Sequence, residues 1–136
     1  MKIAVRKITE EGISLDEKTL AKLWNLDGFD LKFVDYIKVR GNFKKIYNEI
    51  ISNVNVVAPC QIRCSRCLVE VCQIRKYNFQ KSYFLDNLGS FLDIDYDIRE
   101  EILLNFSLKV LCSSDCLGLC SRCGKNLNWG RCNCLN

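Results

Sequence analysis

Cysteine is the residue type in this chain that can do chemistry, and its spacing limits which chemistry. Six of the ten cysteines, Cys112, Cys116, Cys120, Cys123, Cys132 and Cys134, fall in the last 26 residues, interleaved with Gly118, Gly124 and Gly130. Such density means either a disulfide framework or thiolates gathered on metal. The opening Met1-Lys2-Ile3-Ala4-Val5-Arg6-Lys7 is broken by charge, unlike a secretory leader, and no window reaches the roughly 18 apolar residues of a membrane span. The chain therefore reads as cytosolic, where thiols stay reduced, and metal is favoured.

Cys120-Ser-Arg-Cys123-Gly124 is a C-x-x-C-G turn. It converges two sulfurs on one point, and the glycine accepts the positive φ that aims backbone N–H groups at them. Cys132 and Cys134 complete a four-cysteine site across a turn-rich excursion from Lys125 to Arg131. Upstream, Cys64-Ser-Arg-Cys67 repeats the spacing and needs two more thiolates; Cys112 and Cys116 are left over for it. Alternatively Cys112, Cys116, Cys120 and Cys123 form one site and strand the upstream pair. All-sulfur tetrahedral sites suit Zn²⁺ or iron, with zinc the default, so two structural zinc ions per chain are expected. Full coordination by protein leaves no open position for substrate. The chain has no histidine, which removes the commonest general base, so no catalytic residue is assigned.

The elements that must position these cysteines follow from periodicity. Residues 2–9 alternate weakly and predict a strand. Ser14-Leu-Asp-Glu17 has the capping-box pattern, and Leu20, Leu23 and Trp24 recur at helical spacing, which predicts a helix from Ser14. A strand over 35–42 should end in a Gly41-Asn42 turn. Beyond it the even positions are mostly apolar, with Ile46, Ile50, Val54, Val56, Ala58, Cys60 and Ile62, and most odd ones polar, the pattern of a strand with one buried face. Cys60 reads as a small buried hydrophobe, and Pro59 suggests an edge or a bulge. The Cys64–Cys67 turn leads into a further strand, where apolar Cys72 and Ile74 fall out of phase with Tyr77 and Phe79; a bulge near Arg75 and a packed Cys72 are expected. Asp97-x-x-Glu100 with Ile98, Ile102 and Phe106 predicts a short amphipathic helix whose acids suit its N-terminus.

Charge is unevenly spread. Between Tyr36 and Leu85 nine basic residues stand against Glu49 and Glu70, whereas residues 86–101 carry six acids against Arg99. The formal net charge of +4 hides this, and eight thiolates on two divalent ions would bring the chain near neutrality. A local basic sheet around the first knuckle, with Arg63, Arg66, Arg75 and Lys76, is a candidate nucleic-acid face, since phosphate contacts supply sequence-independent affinity. An ordinary solvated strand face is the competing reading.

Four stretches carry a resemblance: Cys64-Ser-Arg-Cys67-Leu68, Asp97-Ile-Arg-Glu-Glu-Ile-Leu-Leu104, Cys112-x3-Cys116-Leu-Gly-Leu-Cys120-Ser-Arg-Cys123-Gly-Lys-Asn-Leu-Asn128, and Cys132-Asn-Cys134. In this order they resemble the YceD-like large ribosomal RNA subunit accumulation proteins, over about the C-terminal 75 residues. The resemblance implies a bacterial or organellar factor for accumulation of large-subunit rRNA, working in ribosome biogenesis without a known catalytic activity. The family often has proline where Ser107 and Ser121 stand and lysine where Leu117 stands, and some relatives lack the C-terminal cysteines.

The resulting expectation is a single α+β domain over 1–136: an antiparallel, meander-like sheet with two short helices, closed by C-terminal four-cysteine zinc knuckles. Strands and a helix fill 1–59, the central knuckle, strand and helix fill 60–111, and the cysteine-rich tail is 112–136. The function expected is non-enzymatic ribosome biogenesis through large-subunit rRNA or a pre-ribosomal particle, with no membrane and no small-molecule substrate. A zinc-ribbon interaction or transcription module is the alternative. A thiol oxidoreductase using Cys64 and Cys67 is weaker, because a redox C-x-x-C normally opens a helix.

Overall fold

In the computed structural model, which describes residues 1–24, 26, 31–105 and 109–135, the long alternation becomes the central strand. This strand, β5 (Glu49–Arg63), pairs along its whole length with β6 (Glu70–Phe84), from Glu49 opposite Phe84 to Arg63 opposite Glu70. Its other edge is shared by β4 (Ile37–Ile46) and, further along, β3 (Leu31–Phe33), while β2 (Ile13–Thr19) pairs with β4. All five strands are antiparallel. A separate two-stranded ribbon joins β1 (Lys2–Ala4) to β7 (Phe91–Asp93), and one α-helix, α1 (Asp95–Leu104), follows.

One face of the large sheet is the core. Ile37, Val39 and Phe43 of β4, Ile50, Val54, Val56 and Ala58 of β5 and Tyr77 of β6 are buried against Trp24, Ile94, Ile98 and Ile102. The period of two on the strands and of about 3.6 on α1 bring these apolar stripes together. Polar groups then pin the helix. Buried Asp97 accepts hydrogen bonds from Tyr83 Oη at 2.6 Å and from Lys81 Nζ, and Arg99 Nε donates to the Trp24 carbonyl at 2.9 Å.

The mostly antiparallel sheet and the buried Cys60 are as the sequence predicts; the predicted helix is present but starts at Asp95 rather than Asp97, and Phe106 lies outside the described residues. Several elements differ. Residues 14–19 are strand, not helix: Ser14 Oγ, the hydroxyl a capping box would use, instead donates across to Asn42 at 2.9 Å, and Asp16 accepts from Arg40 at 2.9 Å. Of the two expected helices one is therefore present as an α-helix among the described residues, with a 3₁₀ turn at Ala21–Trp24 in place of the other. The first strand stops at Ala4. Gly41-Asn42 is not a turn but lies within β4; a Cβ at Gly41 would sit 2.6 Å from Phe43 Cε2, so the glycine makes room for that ring, and the turn comes at Tyr47-Asn48. Pro59 marks neither edge nor bulge. It falls, with Ala58, where β5 passes from β4 to β3 and has no paired residue on that edge among the described residues.

Nor is there a bulge near Arg75: the β5–β6 register is unbroken. The odd residues of β6 face the core throughout, so Cys72 and Ile74 point outward and both are exposed, contrary to the expected packing of Cys72. The inner face there carries Gln73 and Arg75 opposite Cys60 and Ala58, which is why hydropathy alone misassigns the phase.

Candidate metal centres

Beyond Arg63 the chain leaves β5 in a tight turn. Cys64 N–H donates to the Val69 carbonyl at 2.8 Å, Leu68 N–H to the Cys64 carbonyl at 3.0 Å, and Leu68 takes a φ of 61°. Ser65 then captures the incoming tail, its N–H donating to the Val110 carbonyl at 2.7 Å while its Oγ accepts from Val110 N–H at 3.1 Å. That docking carries Cys112 and Cys116 onto the first turn. The second turn repeats the geometry: Gly124 N–H donates to the Cys120 carbonyl at 2.9 Å, with a φ of 72°. Gly124 occupies without strain the left-handed position that Leu68 holds as a non-glycine residue.

The cysteines gather as two groups of four, Cys64, Cys67, Cys112 and Cys116, and Cys120, Cys123, Cys132 and Cys134, each with all its sulfurs within 4.8 Å of one another. The alternative grouping of Cys112 and Cys116 with Cys120 and Cys123 is not formed. Zn–S bonds of about 2.3 Å in a tetrahedron place sulfurs about 3.8 Å apart. Cys64 and Cys116 sulfurs are 3.8 Å apart and those of Cys67 and Cys112 3.5 Å, so the donor set fits a tetrahedral ion. Cys60 and Cys72 belong to neither group.

Electrostatics prepares the sulfurs for a cation. Burial pushes Cys64 up, but the backbone N–H groups of Cys67, Arg66 and Cys112 outweigh it and bring the thiol down to about 6. Backbone N–H groups of Cys123 and Arg122 bring Cys120 to about 6 as well. Their neighbours take the proton instead: hydrogen bonding to Cys116 and then Cys67 raises Cys112 to about 12, and Cys123 raises Cys134 to about 11. Each group thus mixes thiolates with thiols whose protons a metal ion displaces on binding.

The two groups are joined by residues whose part the spacing does not reveal. Asn128, in the excursion between Cys123 and Cys132, donates to Cys116 Sγ at 3.4 Å and accepts from Leu117 N–H at 2.8 Å. Its amide is the main influence lowering the Cys116 thiol. Arg66 donates to the Cys116 carbonyl at 3.0 Å, and Gly118, at φ 77°, lies against Arg66. In the sequence Asn128 is indistinguishable from an ordinary turn residue.

The four candidate nucleic-acid residues do not share a face. Lys76 and Arg63 point out from the sheet, and Arg63 lies 3.8 Å from Glu70. Arg66 is tied to the first group, and Arg75 is on the inner face beside Cys60. Strand alternation sends adjacent Arg75 and Lys76 to opposite sides, so one continuous patch from this quartet is ruled out.

Two all-sulfur groups at one end of an antiparallel sheet place the chain among proteins able to hold structural metal. Among proteins it is similar to is the chloroplastic large ribosomal RNA subunit accumulation protein YCED homolog 1 of Arabidopsis thaliana, 40% identical over 43 residues. The match covers 32% of this chain and 13% of that relative's length. No family model and no solved structure matches. Among the described residues no helix is long and apolar enough to cross a membrane.

Proposed function

We propose that this chain is a non-enzymatic ribosome-biogenesis factor that supports accumulation or processing of large-subunit rRNA by binding that RNA or its precursor particle. It acts in a bacterial cytosol or an organelle. The likeness to a protein named for large ribosomal RNA subunit accumulation carries the reading. The cysteine geometry supports its non-enzymatic part: each group offers four sulfurs to one ion, a closed set of the kind structural zinc takes. The metal is zinc, two ions per chain, and elemental analysis of protein purified without chelator checks it. The function is tested by removing the protein from cells. Large-subunit rRNA should fall relative to small-subunit rRNA, and the tagged protein should cosediment with large-subunit precursors; an unchanged ratio with no cosedimentation overturns the reading.

A zinc-ribbon module docking on another protein is the second reading, favoured by exposed Leu68, Leu117 and Trp129 at the knuckle end. Recovery of a protein partner that persists after ribonuclease treatment would shift the conclusion to it. Thiol redox work is disfavoured, because Cys64 and Cys67 leave a strand and are each within reach of two further cysteines.

A further inference from the structure

The sheet face turned away from α1 is built of cross-strand rows that register fixes. One row runs Lys18, Lys38, Val57, Lys76 across β2, β4, β5 and β6. The next runs Asp16, Arg40, Asn55, Asn78, and the third Ser14, Asn42, Asn53, Gln80. All three lysines and the amides of Asn42, Asn53, Asn55, Asn78 and Gln80 are exposed. Lys18 stands directly opposite Lys38, an arrangement that costs stability unless an anion lies between or above the pair. Asp16, the acid within these rows, is taken by Arg40; Asp35 stands at the rim of the hollow beside the lysines and accepts from Tyr36 N–H. Beside the lysine row the amides line an open groove of about 550 Å³.

We propose that this face binds a helical segment of RNA, the lysine row on its phosphates and the amide rows on ribose hydroxyls. The inference rests on the ribosome-biogenesis reading for its partner and on the register for its site. Lysine, asparagine and glutamine are the side chains that meet phosphate and sugar, and an amide donates and accepts as the 2′-hydroxyl does. A-form RNA presents those hydroxyls in a wide, shallow minor groove that a gently twisted sheet can lie along. A single strand fits less well, because none of the three rows carries an aromatic side chain, and exposed Tyr36 at the rim beside the lysines offers one ring where successive bases would need several. A protein partner is disfavoured by the lysine row that crosses this face, since protein interfaces are depleted in lysine relative to the rest of the surface.

The test uses the zinc-loaded full chain and measures anisotropy of a labelled RNA hairpin, a DNA duplex of the same sequence and an unstructured RNA strand, over a salt series. Wild type should favour the RNA hairpin. Lys18→Glu/Lys38→Glu/Lys76→Glu should lose at least about tenfold in affinity and flatten the salt slope by about three phosphate contacts. Asn55→Ala/Asn78→Ala should lose less, and should narrow the preference for RNA over DNA. Thermal melting and zinc content show that each variant is folded, and Arg6→Glu/Lys7→Glu, on the exposed turn after β1 and outside the five-stranded sheet, should bind as wild type does. Unaltered binding by the folded lysine variant, tighter binding of the unstructured strand, or no hairpin binding by wild type overturns the inference. None of these disturbs the biogenesis reading if large-subunit rRNA still falls on depletion; absence of that fall together with intact hairpin binding would do the reverse.

Discussion

Asn128 reaches from the loop of one cysteine group to a sulfur of the other, so the first site depends on a side chain carried by the loop of the second. Outer partners of metal ligands commonly matter by about 10–100-fold in affinity. Asn128→Ala should therefore weaken zinc at the Cys64–Cys67–Cys112–Cys116 group by about tenfold while leaving the group that flanks it in sequence nearly unchanged. Competition with a chromogenic chelator, read as two release steps, checks this. Leu68 offers an opposite case. Its left-handed backbone costs about 1 kcal/mol, and with the side chain 56% exposed little packing is lost on removing it, so Leu68→Gly should be neutral to stabilising by up to about 1 kcal/mol in chemical denaturation. The cysteines themselves are legible in the sequence because ligand spacing is a local property of a tight turn. Asn128 is not, because its importance arises from a contact across two loops that only the fold brings together.

The docking of α1 on β6 depends on a buried carboxylate. Asp97 is buried at the first turn of the helix and held by Tyr83 and Lys81, with Glu100 3.5 Å from the same ammonium. Tyr83→Phe should cost about 1–2 kcal/mol, because a buried charged acceptor loses a donor, and should raise hydrogen exchange along Asp95–Leu104 more than in β4. The hydrogen bond to Asp97 raises the Lys81 amine, and burial first and then Asp97 raises the Tyr83 hydroxyl. Groups with raised folded values stabilise below their unfolded values, about 10.4 and 10, and lose that contribution as pH climbs through the folded ones. On the alkaline side the clamp should thus be intact at neutral pH and loosen as Lys81 and Tyr83 lose their protons in strong alkali. That α1 exists is readable from its acids and its Ile98–Ile102 stripe. The misreading at Ser14 has a physical cause: the same polar side chains satisfy a helix end or a neighbouring strand, and seven paired positions with β4 decide for the strand.

Two separate bodies of buried side chains divide the chain. The main core joins β4, β5, β6 and α1, whereas the first knuckle has its own cluster of Cys64, Cys67 and Cys116 with Val69, Leu111 and Leu119 partly buried around it. A small group of Leu31, Cys60, Ile62 and Val110 lies between them. At the knuckle end sulfurs fill the place that aliphatic side chains fill in the main core, so on the proposed two-ion reading cohesion there comes from metal rather than from apolar area. Saturating metal at about 1,000 times its Kd supplies about 4 kcal/mol per site, and chelation removes it. Treatment with excess chelator should therefore release residues 109–135 and the Cys64–Cys67 turn while β4 to β6 stay folded below the turn. Hydrogen exchange read by mass spectrometry should show loss of protection confined to those segments, and thermal melting of the chelated protein should keep one transition, that of the main core. Cys64→Ser/Cys67→Ser should reproduce this loss of protection and Cys132→Ser/Cys134→Ser a smaller part, limited to the last turn. A single cooperative collapse on chelation would mean that the main core leans on the metal end through the long β5–β6 hairpin far more than its own buried Ile, Val and Phe side chains indicate.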